Sequence, residues 1–314
     1  MGVIRNKKAF LAFLLPGLLF YILAVFYPIE ESIRLSFMKW GGIGKKQFVG
    51  LKNYVTMFHD EVFYKAFFNN LIYLVIVVSM QLLIGLFFAI LLTYMTKHVT
   101  LVKTLYYVPC IITTVAITQL FRSMYSTEPM GLLNQILQKV GLGGMVTSWL
   151  AKVSTVLPAV SIPEGWRFTG MYMVIFYAAL VSLDPSVYEA AKIDGASEMQ
   201  KMLHIAVPLL VPTLCALGLF AAVGHWNSWF DAMLYIRDEN LRTVQYVIRE
   251  LLLSSGSAES LDSLGNTTLV ITGKVTSEAL KMASVVVALI PILCVYPFLQ
   301  KYFIYGMYTG SVKG

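Results

Sequence analysis

The chain has 314 residues, 58% of them hydrophobic and only 13% charged, with a net charge of +7 and a mean hydropathy of +0.71. A soluble domain carries about 25% charged residues, so this balance excludes an ordinary water-soluble fold and predicts an all-α polytopic membrane protein. The basic residues form no dense patch interleaved with aromatics, which argues against a nucleic-acid partner; they flank apolar runs, where anionic lipid headgroups are the usual company.

Six runs are long enough to cross a bilayer, which takes about 20 helical residues. They are residues 9–28, 68–94, 105–124, 166–183, 205–235 and 282–303. The first follows Arg5, Lys7 and Lys8 and is longer than a signal-peptide core, so it reads as a retained membrane helix. Prolines 208, 212, 291 and 297 predict kinks in the last two runs, because each removes a backbone donor. Cys110, Cys215 and Cys294 sit inside apolar runs, with neither disulfide nor zinc spacing.

Even span number places the long connections, about 29–67, 125–165 and 236–281, on one side. The short ones, with both termini, lie on the other. The lysines and arginines beside the first run place the termini in the cytoplasm. The long loops hold helix-like pieces such as "GLLNQILQKVGL" and read as caps on a single transmembrane domain spanning 1–314 rather than as separate domains.

The short connection 184–204 is unusual. Asp184-Pro185 is a helix-start signal, and Ser186-x-x-Glu189 and Ser197-x-x-Gln200 both have capping-box spacing. Gly195 divides the two segments. Two short helices with little bulk at Ala190, Ala191, Gly195 and Ala196, beside the charges of Glu189 and Asp194, form either an interhelical elbow or a docking element.

"EAAKIDGASEMQKMLHIAVPLLVPTL" resembles the EAA motif of binding-protein-dependent ABC importer permeases, with Glu189-Ala190-Ala191, Asp194-Gly195-Ala196 and Val207-Pro208 at the motif positions. The stretches "FLLPGLLFYILAVFYPIEESIRLSF", "WNSWFDAMLYI" and "YPFLQKYFIYGMYTGSVKG" extend the resemblance, to the carbohydrate-type, maltose-permease-like members, over nearly the whole chain. The resemblance implies six transmembrane helices with a cytoplasmic coupling loop in a bacterial cytoplasmic membrane. It implies a second permease subunit in a heterodimer, an ATPase dimer that binds ATP and Mg, and an extracytoplasmic binding protein delivering a carbohydrate. No cofactor is expected on this chain, which lacks a GxxxxGK[ST] loop and is expected to be non-catalytic. The tail after Phe303 reads as a flexible stub.

Ionisable groups within spans are costly and mark function by default. By resemblance the solute path involves "PEGWRFTGMYMV", giving Glu164, Trp166, Met171 and Tyr172, and "GHWNSWFDAM", giving His225, Trp226, Asn227, Ser228, Trp229 and Asp231. His225, Ser228 and Trp229 would share one helical face. Competing readings are an interfacial aromatic belt for Trp166 and Trp229, an interhelical hydrogen bond for His225, and a snorkelling acid or gate for Asp231. The alternative function is an ion-coupled secondary transporter, which predicts inverted repeats, broken helices and paired intramembrane ions; the sequence displays none of these.

Overall fold

The computed structural model describes residues 7–42, 44–236, 238–262 and 278–311. Arg5, Arg237, Lys313 and part of the predicted 236–281 loop lie outside the described residues.

Among the described residues three helices are long and apolar enough to cross a membrane: Phe10–Ser36, Glu61–Thr93 and Glu278–Pro297. Three bent pairs pass the same test together, Val99–Ile111 with Thr114–Tyr125, Val153–Val181 with Ser186–Ile193, and Glu198–Leu209 with Val211–Trp226. Counting each pair once gives the six predicted spans. Among the described residues a small antiparallel ribbon, Met38–Lys39 with Gln47–Phe48, is the one sheet in an otherwise helical fold.

The fifth span bends at its prolines as predicted, and the third bends where no kink was predicted. In the third span Ile112 and Thr113 adopt extended backbone, the Thr113 hydroxyl caps the new helix by accepting from the Ala116 N–H, and the two halves diverge by 95°. The fifth span begins with a widened turn, Met202–Ala206, in which the Val207 N–H reaches the Met202 carbonyl, and then bends by 59° ahead of Pro212. The first span has the same device: Ile22–Phe26 is widened two residues ahead of Pro28. In both places a proline that cannot donate follows the relaxed turn. The last helix, by contrast, is continuous from Glu278 to Ser311 through Pro291 and Pro297, and the predicted flexible tail is helical as far as it is described.

The chain forms two compact units. One contains the described residues of Met1–Tyr64 and Ile248–Pro291; the other contains those of Lys65–Val247 and Ile292–Gly314. In the first unit none of the most apolar window of Phe10–Ser36 is buried within the chain, as suits a helix that is hydrophobic all round. The end of that helix is tied down by Asn53, whose amide donates to the carbonyls of Ser36 and Met38, and by a Tyr54–Ser36 hydroxyl contact of 2.6 Å.

In the second unit the span Glu61–Thr93 buries Asn70, Tyr73, Val77, Gln81, Gly85, Ala89 and Leu92 as one stripe with a three-four rhythm. Close approach depends on small residues. A Cβ on Gly85 would lie 2.9 Å from that of Tyr172, and one on Gly170 would run into the Tyr106 carbonyl. Two apolar clusters result. Tyr73, Val77, Ile117, Phe121, Val156 and Tyr235 belong to one; Ala89, Leu92, Met173, Phe176, Met202 and Leu210 belong to the other.

Candidate coupling hook and intramembrane polar layer

The hook forms as two helices. Asp184, not Ser186, caps the first, accepting from the Ser186 N–H at 2.9 Å with Pro185 in the first turn. The predicted Ser186–Glu189 box is therefore replaced, because Asp184 stands at the helix entrance and Ser186 is already inside. Helix Pro185–Ile193 ends at Asp194, and Gly195 takes φ +79° while the Ala196 N–H returns to the Ala191 carbonyl. This left-handed closure favours glycine. A Cβ on Gly195 would meet nothing within 4 Å, so backbone conformation rather than space requires glycine here. Ser197 and Gln200 form the predicted reciprocal capping box.

Glu189, Ala190, Asp194 and Gly195 are exposed, Ala196 is half-buried, and Ala191 turns inward. The hook also exposes large apolar side chains that sequence reasoning passed over: Ile193 is 86% exposed and Met199 64%. Their isolation in a polar segment was the available signal. Behind them Tyr188, Glu189, Glu198 and Lys201 line a cavity of about 420 Å³ with Tyr94 and Leu180. Burial pushes the Tyr188 phenol up from its ordinary value, and Tyr94 adds to the shift. Lys201 is buried and bonded to Glu198.

The second feature is a polar layer between the two apolar clusters. Gln81, Glu164 with Arg167, and His225 each fall between residues of one cluster and residues of the other along their own span. His225 Nε2 lies 3.1 Å from Gln81 Oε1, and the Gln81 amide donates to the Glu164 carbonyl at 3.3 Å. Arg167 approaches the Glu164 carboxylate at 3.6 Å and donates to the Thr114 hydroxyl at 2.7 Å, just beyond the break in the third span. Nearby, Asp231 accepts from Ser228 at 2.6 Å and from the Tyr73 hydroxyl at 3.4 Å.

Glu164, Tyr172, His225, Trp226 and Asp231 are buried within the chain, whereas Met171, Ser228 and Trp229 are half-buried and Asn227 and Trp166 are exposed. Asp231 is thus an internal acceptor and not a snorkelling surface acid. His225, Ser228 and Trp229 do not share a helical face: the helix stops at Trp226 and resumes at Phe230, with Asn227 as its cap. Tyr172 belongs to the apolar cluster and Met171 packs against it. Trp166 instead borders a cavity of about 320 Å³ lined by Met80, Tyr106, Pro109 and Thr169. Sequence reasoning missed Gln81, Arg167, Thr114 and Tyr73; for Gln81 and Arg167 the signal was a polar residue within an apolar span. The Glu164–Arg167 pair and the broken spans also show that these features do not separate the two functional alternatives.

Residues 98–308 match the family model described as "Binding-protein-dependent transport system inner membrane component". The chain belongs to this family. The match covers the hook, the polar residues of the fourth and fifth spans and most of the last helix. The permease is 31% identical over 263 residues to the "Lactose transport system permease protein LacF" of Rhizobium radiobacter, covering 75% of this chain and 87% of the relative. It is 37% identical over 207 residues to the "Probable ABC transporter permease protein YurN" of Bacillus subtilis (strain 168), covering 65% and 70%. A solved bacterial ABC transporter "involved in the import of the acidic polysaccharide alginate" superposes with a TM-score of 0.72 at 21% identity, over 95% of this permease and 97% of that chain. Membership removes the secondary-transporter alternative.

Proposed function

We propose that this permease is the membrane subunit of an ATP-binding-cassette importer for a carbohydrate, delivered by an extracytoplasmic binding protein. The relatives named for lactose and arabinooligosaccharide transport support the cargo class. In this reading the chain pairs with a second permease subunit and is itself non-catalytic. A separate ATPase dimer holds ATP and Mg and docks on the cytoplasmic side, where both termini lie. The observation that carries the reading is the hook: two capped helices joined at Gly195, presenting Glu189, Ala190 and Asp194 beside exposed Ile193 and Met199. A low-profile polar ledge with apolar knobs fits a groove on a partner protein, and closure of that partner would pull on the fifth span through Met202–Ala206.

For the solute, Trp166, Asn227, Ser228 and Trp229 supply aromatic faces and polar tips that suit alternating CH and OH surfaces. Asp231 holds Ser228 through a 2.6 Å hydrogen bond, and Glu164, His225 and Trp226 lie buried in the same two spans. The test is reconstitution of the full importer with Glu189→Lys and Gly195→Trp. Sugar uptake and solute-stimulated ATP hydrolysis should both fall at least tenfold while the complex still inserts. Undiminished uptake and hydrolysis in both variants would remove the docking role.

A further inference from the structure

Three buried hydroxyls of the second unit gather where two helices pack. Thr118, Tyr125 and Tyr235 are 4%, 5% and 6% exposed, and the hydroxyl oxygen of each makes no hydrogen bond to any described residue. Thr118 and Tyr125 lie two turns apart on the inward face of helix Thr114–Tyr125. Aromatic side chains on a helix lean toward its N-terminus, which brings the Tyr125 ring back toward Thr118. Helix Phe230–Tyr235 packs against this face. Its Tyr235 hydroxyl faces Thr118, without the geometry of a direct bond, and stands within electrostatic reach of Tyr125. Tyr125 and Tyr235 share one apolar cluster with Ile117, Phe121 and Ile236.

Other buried hydroxyls in the spans settle locally. Ser161 donates to the Leu157 carbonyl and Thr169 to the Gly165 carbonyl, each at 2.7 Å. Thr118 has the same option at the carbonyl of Thr114, four residues back, and does not take it. Native proteins leave few buried polar atoms unpaired, so three in one place point to a ligand. The ligand must be small, because all three side chains are closed off from solvent. It must also donate and accept, because hydroxyls do both. Water has this chemistry, and a buried water makes about three hydrogen bonds. We propose that Thr118, Tyr125 and Tyr235 bind an ordered water. It joins two helices that each restart after a break, at residues 112–113 in the third span and 227–229 in the fifth. The site is independent of what the permease carries.

The test reads the water chemically, in the assembled transporter in lipid discs. A brief X-ray pulse splits water into hydroxyl radicals, which oxidise buried side chains only where water is held beside them; mass spectrometry locates the product. After correction for intrinsic reactivity, Tyr125 and Tyr235 should be oxidised at least threefold faster than two buried controls. These are Tyr73, whose hydroxyl is bonded to Asp231, and Phe176 of the other apolar cluster. In a sample mixed into heavy-oxygen water milliseconds before the pulse, the oxygen gained at Tyr235 should still be the light isotope, as a held water requires. Thr118→Val, of nearly the same volume, should cut the labelling of Tyr235 at least threefold and leave Phe176 unchanged. Oxidation of Tyr235 at the control rate would overturn the site, and of Tyr125 alone its part in it. Immediate uptake of heavy oxygen would mean open solvent and would overturn a held water. An undiminished Tyr235 label in Thr118→Val would remove Thr118 as a ligand.

Discussion

Gln81 of the second span and His225 of the fifth meet at 3.1 Å inside the permease, and Gln81 also donates to the backbone of the fourth span. One amide thus joins three helices in the layer between two apolar clusters. Interhelical hydrogen bonds in membranes contribute about 0.6 kcal/mol on average and up to about 1.7. A cycle of Gln81→Leu, His225→Leu and the double variant, followed by thermal inactivation of the purified complex, should give a coupling energy toward the upper end of that range. Strict additivity would show that the contact carries no stability.

Glu164 and Arg167 should respond asymmetrically to being separated and to being removed together. Breaking a buried pair by deleting one partner costs about 3–5 kcal/mol, because the remaining charge is stranded. Glu164→Leu should therefore deplete folded permease more than Arg167→Met, because a stranded arginine cannot shed its charge whereas a stranded carboxylate can take up a proton. Combining Arg167→Met with Glu164→Leu should restore much of the folded yield. Quantifying detergent-stable complex from membranes distinguishes these outcomes.

Much of this architecture is legible in the sequence, and the exceptions have local causes. Six apolar runs give six spans because length and hydropathy are additive along the chain. The capping box at Ser197 and Gln200 is equally direct, since its partners are three residues apart. The sharp break at Ile112–Thr113 escaped notice because no charged residue or glycine interrupts the apolar run there; Pro109 and the Thr113 cap are its local marks. The face proposed for His225, Ser228 and Trp229 assumed a continuous helix, whereas Ser228 bonds Asp231 and the chain restarts at Phe230. Gln81 could be flagged as polar within a span, but its partner His225 is distant in sequence and needs the fold to be found.

Two glycines offer a contrast of space. A methyl on Gly170 would overlap the Tyr106 carbonyl, so Gly170→Ala must push the third and fourth spans apart. Gly224, within helix Val211–Trp226, has nothing within 4 Å of the same position. Overpacking costs about 1–3 kcal/mol or more where backbone must move. Gly170→Ala should lower the inactivation temperature markedly, whereas Gly224→Ala should leave it unchanged or raise it slightly. Equal behaviour would mean that the third and fourth spans do not touch at Tyr106.

The hook should open in two steps because its two helices are capped independently. Ser197→Ala removes the acceptor for the Gln200 N–H, a loss of about 1 kcal/mol for an N-cap. Gly195→Ala places a Cβ in the left-handed region at a cost of about 1–2 kcal/mol. Asp184 caps the first helix without using either residue. Amide exchange in residues 197–201 should therefore accelerate about fivefold in Ser197→Ala, with 1.4 kcal/mol corresponding to a factor of ten. Residues 187–191 should keep their wild-type rates in that variant. Gly195→Ala should raise exchange at 194–201, since it strains the joint as well as the second helix. If both segments accelerate together in Ser197→Ala, the hook opens as one unit, and force from a docked partner would reach the fifth span through a rigid body and not through a joint at Gly195.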